Sequence, residues 1–151
     1  AWVHGETGYE HKIHDSTAGV VIGDRALAMQ TNFPKVVEGI LKFSTHEASD
    51  AELDALRKMQ LAIGCEAAVR QTHAIMGRSD HRAKLSTLTL PLALMCGEYD
   101  RVTPPALTRQ TQLCFPHATT IWVPTGHMLP FQQPLPVAQC ITSLWESSLP
   151  L

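Results

Sequence analysis

The chain has 151 residues, of which 44% are hydrophobic and 17% charged, a balance that fits one globular domain and argues against intrinsic disorder. A net charge of -2 gives no electrostatic reason to expect nucleic acid or an anionic membrane as partner. No apolar run approaches the roughly 18 residues of a membrane span, and the first residues lack the basic-then-apolar order of a signal peptide.

Cys65, Cys96, Cys114 and Cys140 are widely spaced among apolar neighbours. They form no C-x-x-C pair and fall far short of a disulfide scaffold. Buried free thiols in a reducing compartment are expected, which makes the cytoplasm the expected location.

Residues 1–22 show neither strand alternation nor helical periodicity and are expected to be a poorly defined N-terminal segment. His11, His14 and Asp15 could be imagined as metal ligands, but a solvated chain end accounts for them more simply. No metal site is expected.

Helical patterning begins after Gly23. Phe33, Val36, Val37, Ile40 and Leu41 repeat at i, i+3, i+4, i+7 and i+8, one apolar stripe, and Pro34 suits a first helical turn. Ser49 with Glu52 three residues later makes a capping box for a second helix, whose Leu53, Leu56, Met59 and Ile63 share a face and which Gly64 ends. A third helix carries Ala68, Val69, Thr72, Ile75 and Met76 on one side before Gly77. Three amphipathic helices in succession predict a helical cap or a small bundle, rather than part of a sheet, over residues 23–87.

The pattern changes at Leu88. Leu90 to Cys96 is a short, nearly continuous apolar run ending at Gly97, as expected of a strand buried on both faces of a parallel sheet. Thr103 is the expected cap of a helix opening with Pro104 and Pro105 and continuing through Leu107, Leu113 and Cys114. Thr119 to Val123 reads as a second strand. A last helix places Val137, Cys140, Ile141, Leu144 and Trp145 on one stripe. Strand, helix, strand, helix over residues 88–151 predicts a parallel βαβ unit with a right-handed crossover.

In an open parallel sheet, functional side chains gather in the loops beyond the C-terminal strand ends. Asp100 follows the first strand and His127 the second, so paired strands would bring both to the same edge. There a carboxylate can hold one imidazole nitrogen and leave the other to act as a base. Gly97 and Gly126 would permit tight turns at that rim. Tyr99, Met128 and Leu129 are candidates to line a substrate pocket, though apolar packing explains them equally well. Glu98 and Arg101 carry no claim beyond a solvated loop. Asp80 and His81 are also an acid–histidine pair, but adjacent residues rarely face each other productively.

Gly-x-x-Asp-x-x-x-Pro after a buried strand, with Gly-His after the next, resembles the acid and histidine loops of the α/β-hydrolase superfamily. The order Asp100 then His127 matches that family's order of nucleophile, acid, histidine. Ala74 to Asp80, leading by a polar linker into Leu90-Pro91, looks like the end of its cap. The similarity covers about residues 23 to 149 and is closest to small esterase- or lactonase-like members. It implies an α/β fold made of a helical cap followed by the last parallel β-α-β-α units of the sheet. It also implies Asp100 and His127 as catalytic residues, a small ester-like substrate in the complete enzyme, and no cofactor.

The family's nucleophile motif, G-x-S-x-G, is absent from the chain. His4-Gly5-Glu6-Thr7-Gly8 echoes a His-Gly oxyanion loop, but no strand–elbow–helix follows it. The expectation is therefore a hydrolase portion lacking its nucleophile, inactive alone, that self-associates or pairs with a missing N-terminal part. The competing expectation is a non-catalytic protein of the same fold that serves as a binding module.

Overall fold

The computed structural model describes residues 16–76, 78–79 and 90–147. Asp80 and His81, Gly77, Leu88, and the N-terminal His4–Gly8, His11, His14 and Asp15 lie outside the described residues.

Helix α1 spans Ser16–Ser44 and is two helices joined at Asn32, whose φ of -153° and ψ of 78° are not helical. The break is local chemistry. The Asn32 side-chain oxygen accepts the Lys35 N–H at 3.2 Å, the bond of an N-cap residue to the third residue of the new helix. Pro34 falls in that helix's first turn, where its missing N–H costs nothing.

Helix α2, Asp50–Ile63, starts on the expected capping box. The Ser49 hydroxyl accepts the Glu52 N–H, and the Glu52 carboxylate accepts the Ser49 N–H at 2.8 Å. Gly64 ends it with a φ of 80°, a region that favours glycine. Helix α3 runs Cys65–Met76.

Helices α1 and α2 enclose a core with Met128 from the histidine loop. Val37, Leu41 and Leu56 are fully buried together, and Phe33, Leu53 and Met128 pack against them. Arg57 ties α2 to α1 through a two-pronged ion pair with Glu38. Cys65 and Thr72 reach α1 at Met29.

Strand β1 is Ala93–Gly97 and strand β2 is Thr119–Val123. They pair in parallel, with Ala93 opposite Thr119 and Gly97 opposite Val123. Helix α4, Pro105–Cys114, connects them, and Leu94, Phe115 and Ala118 form a second core with Leu92 and Cys114 against it. The short helix α5, Leu129–Gln132, leads into α6, Pro134–Ser147.

Two expectations need correction. The first strand begins at Ala93 rather than Leu90, and its exposure alternates, with Leu94 and Cys96 buried but Ala93 and Met95 only partly so. Two strands cover one face well and the other poorly. The cap of α4 is Pro104, with no side-chain capping bond, because the Thr103 hydroxyl is turned elsewhere. The exposed apolar surface that such a portion of a sheet is expected to leave is found at Leu113 on α4 and along α6. Leu113 is 83% exposed, Ile141 61% and Trp145 69%, while Cys140 alone on the α6 stripe is buried.

Among the described residues, no helix is long and apolar enough to cross a membrane. All four cysteines are unpaired, with Cys96 and Cys140 buried and Cys65 and Cys114 half-buried.

Candidate functional site

The parallel register sets the site. Gly97 and Val123 end their strands side by side, so the chain leaves both at one edge. The following loops are laced together by their backbones: Glu98 N–H donates to the Val123 carbonyl at 2.8 Å and Tyr99 N–H to the Thr125 carbonyl at 3.1 Å. A Cβ at Gly97 would sit closer than 3.0 Å to the Gly126 and Thr125 carbonyl oxygens. Close approach of two backbones, rather than a turn conformation, is what requires glycine there.

Asp100 stands in the first loop and is only 7% exposed. One carboxylate oxygen, Oδ1, accepts the N–H groups of Val102 at 2.8 Å and Thr103 at 2.9 Å. The other, Oδ2, accepts the Thr103 hydroxyl at 2.8 Å and lies 2.9 Å from His127 Nδ1. Thr103 Oγ1 is also 3.2 Å from that nitrogen. Burial pushes the Asp100 carboxyl upward and is the largest single influence. The hydrogen bonds from His127 and from the Thr103 N–H, the charge of the ring, and the Thr103 hydroxyl together outweigh it. They hold the carboxyl below its ordinary range.

His127 is fixed from behind by the end of α1. Its N–H donates to the Ser44 carbonyl at 2.7 Å, and the Met128 N–H donates to the same oxygen at 3.2 Å. A Cβ on Gly126 would lie 2.7 Å from that carbonyl oxygen, so glycine is again a requirement of proximity. The Ser44 hydroxyl is buried and makes no hydrogen bond.

Three residues to which the sequence assigned no part in the site complete the arrangement. Thr103 touches both members of the pair; an Asp followed three residues later by Thr is the local signal that could have revealed it. Arg101 donates to the carbonyls of Lys42 and Thr45 and stands over the Phe43 ring. Gln132 bonds the Thr125 hydroxyl and the His46 backbone. Arg101 and Gln132 act on backbone carbonyls distant in sequence, which leaves no periodic pattern to read.

The other candidates are placed differently from one another. Tyr99 is 48% exposed and stacks on the His46 ring, centroids 3.7 Å apart. With His46, Arg57, Asp100 and Arg101 it lines a depression of about 670 Å³ between the end of α1, the start of α2 and the acid loop. His127 is not among its lining residues, so the depression adjoins the pair rather than containing it. Met128 packs on the Val37–Leu41–Leu56 core and Leu129 is buried; neither lines the depression. The buried thiols of Cys96 and Cys140 are pushed up by desolvation, which leaves them poor nucleophiles at neutral pH.

No protein-family model matches the sequence, and no curated protein does. Solved structures do match. A thermophilic esterase from Thermogutta terrifontis is 21% identical, with a TM-score of 0.73 over 82% of this chain and 48% of its own. The enol-lactonase from Burkholderia xenovorans is 16% identical, with a TM-score of 0.74 over 83% of this chain and 50% of its own. An esterase from Exiguobacterium antarcticum is 13% identical, with a TM-score of 0.71 over 81% and 46%. The chain thus spans about half the length of the structures it matches, and it has a partial α/β-hydrolase fold.

Proposed function

We propose that these residues are the cap and the acid- and histidine-bearing portion of an ester- or lactone-hydrolysing α/β-hydrolase. The observation that carries this reading is the 2.9 Å contact between His127 Nδ1 and a buried Asp100 oxygen at the shared edge of two parallel strands.

In the complete enzyme a nucleophile from outside these 151 residues attacks the substrate carbonyl. His127 accepts its proton and then passes it to the leaving group, while Asp100 fixes the ring tautomer and stabilises the imidazolium. Oxyanion-hole amides, also from outside, contribute roughly 3–4 kcal/mol each to lowering the barrier. Residues 23–87 serve as the cap and residues 88–151 as the end of the core. Tyr99, on the wall of the depression, is the substrate contact best supported by its exposure. Met128 and Leu129 contribute through packing. The substrate is a small, fairly apolar ester or lactone, no cofactor takes part, and the four unpaired thiols suit the cytoplasm.

Hydrolysis of a short-chain p-nitrophenyl ester tests this, with the chain assayed beside its His127→Ala variant. Equal, background rates are expected, since acid and base are present without a nucleophile. Activity that disappears with His127 would put the nucleophile inside these residues and overturn that assignment.

A second reading, a binding module of the same fold, is favoured by the uncovered apolar residues Leu135, Ile141 and Trp145 on α6. The upstream reading frame separates the two. A G-x-S-x-G segment there supports the enzyme, and a start codon just upstream of Ala1 with no such segment supports the binding module.

A further inference from the structure

The turn that follows α1, Ser44–His46, touches both loops that carry the acid–histidine pair. On the histidine side, the Ser44 carbonyl receives the N–H groups of His127 and Met128. On the acid side, the His46 ring stacks on Tyr99, and Arg101 reaches the Thr45 carbonyl. The turn itself has α1 behind it and the Gly126 backbone packed against Thr45 and His46, and Gln132 bonds its far end, His46, to the histidine loop. Gln132 Nε2 donates to the His46 carbonyl at 2.9 Å. Gln132 Oε1 accepts the Thr125 hydroxyl at 2.9 Å and, more weakly, the His46 N–H at 3.4 Å. The Thr125 side that it grips is 1% exposed.

An amide that donates to a residue's carbonyl while accepting from its N–H bonds it as a neighbouring β-strand would. Only a primary amide of this length can do so and hold Thr125 as well; a carboxylate lacks the donor and a hydrocarbon lacks both.

We infer that Gln132 is a positioning residue: through His46 and Thr125 it holds the histidine loop against the end of α1 and so keeps His127 Nδ1 on Asp100. The inference rests on the functional reading above and adds to it the part that keeps the pair in register. Small displacements matter at such a contact, because hydrogen bonds weaken steeply with angle and a misplaced catalytic group loses large factors in rate.

The test is nitrogen-resolved NMR of the His127 ring in the full chain, in Gln132→Ala and Gln132→Glu, each with its thermal melting curve. The native chain is expected to show a low-field Nδ1 proton that disappears in Asp100→Asn. In both Gln132 variants that proton is expected to move upfield or broaden away while cooperative melting is retained. The glutamate variant, which keeps the acceptor and loses only the donor, reads the same question if the alanine variant does not fold. An unchanged proton in a folded Gln132 variant overturns the inference and leaves the functional reading standing. Absence of the low-field proton in the native chain, or its survival in Asp100→Asn, overturns the reading on which the inference rests.

Discussion

Asp100 holds four atoms around one carboxylate: two backbone nitrogens, one hydroxyl oxygen, and His127 Nδ1 beside the last of these. Removing it strands buried donors, and Asp100→Ala is expected to cost about 1–3 kcal/mol of stability in denaturant unfolding. Its acid dependence has a definite sign. The folded carboxyl lies below its unfolded value of about 3.9, so its stabilisation is present in full above that value. It is lost as pH falls through the lower, folded value. Below about pH 4, the native chain should therefore lose stability more steeply than Asp100→Asn. Parallel curves for the two proteins would contradict the lowered carboxyl.

Ser44 offers the opposite case, since its carbonyl is engaged twice and its buried hydroxyl not at all. Ser44→Ala removes a polar group that gains nothing from burial, and denaturant unfolding should show a change of about 0–1 kcal/mol in the stabilising direction. A loss larger than that would mean that the hydroxyl has a partner after all.

Elements were legible where their signals are local. The α1 stripe could be read because Val37 and Leu41 recur at helical spacing and are both buried. The α2 start could be read because Ser49 and Glu52 close a box within four residues, and Ser49→Ala should destabilise by about 1 kcal/mol. What escaped the sequence depends on distant neighbours. The stripe from Phe33 and the first-turn Pro34 marked the half of α1 that starts after Asn32, whereas the half before it offered no such stripe. Thr103 looked like a cap because Thr before Pro-Pro suits one, and in the fold its hydroxyl serves Asp100 instead. The two rim glycines were read as turn formers, whereas each is required by a backbone pressed against it. Gly97→Ala and Gly126→Ala should each cost about 1–3 kcal/mol, as overpacking does. A denaturant midpoint equal to the native one would show that the loops can separate at no cost.

At the scale of the molecule, the α6 stripe is left largely uncovered beside the two-stranded sheet of the described residues. Cys140 finds cover; Ile141 and Trp145 do not. The chain spans only 48% and 50% of the esterase and the lactonase it matches, which is consistent with this. Uncovered apolar surface of this kind drives association. The chain should bind a hydrophobic dye and scatter light as species larger than a monomer, both reduced in Ile141→Lys with Trp145→Lys. A monodisperse, dye-silent native chain would count against it. The acid–histidine pair does not share this incompleteness. Both loops, the end of α1 and Gln132 are mutually bonded, so the acid–histidine pair should be formed even where the sheet is narrow.

That claim is tested most directly by the His127 ring itself, observed by nitrogen-resolved NMR in the native chain and in Asp100→Asn. A proton held on Nδ1, shifted to low field and lost in the variant, is the predicted result. A proton resting on Nε2 in the native chain, or an Nδ1 signal indifferent to Asp100, would contradict a preformed acid–base pair.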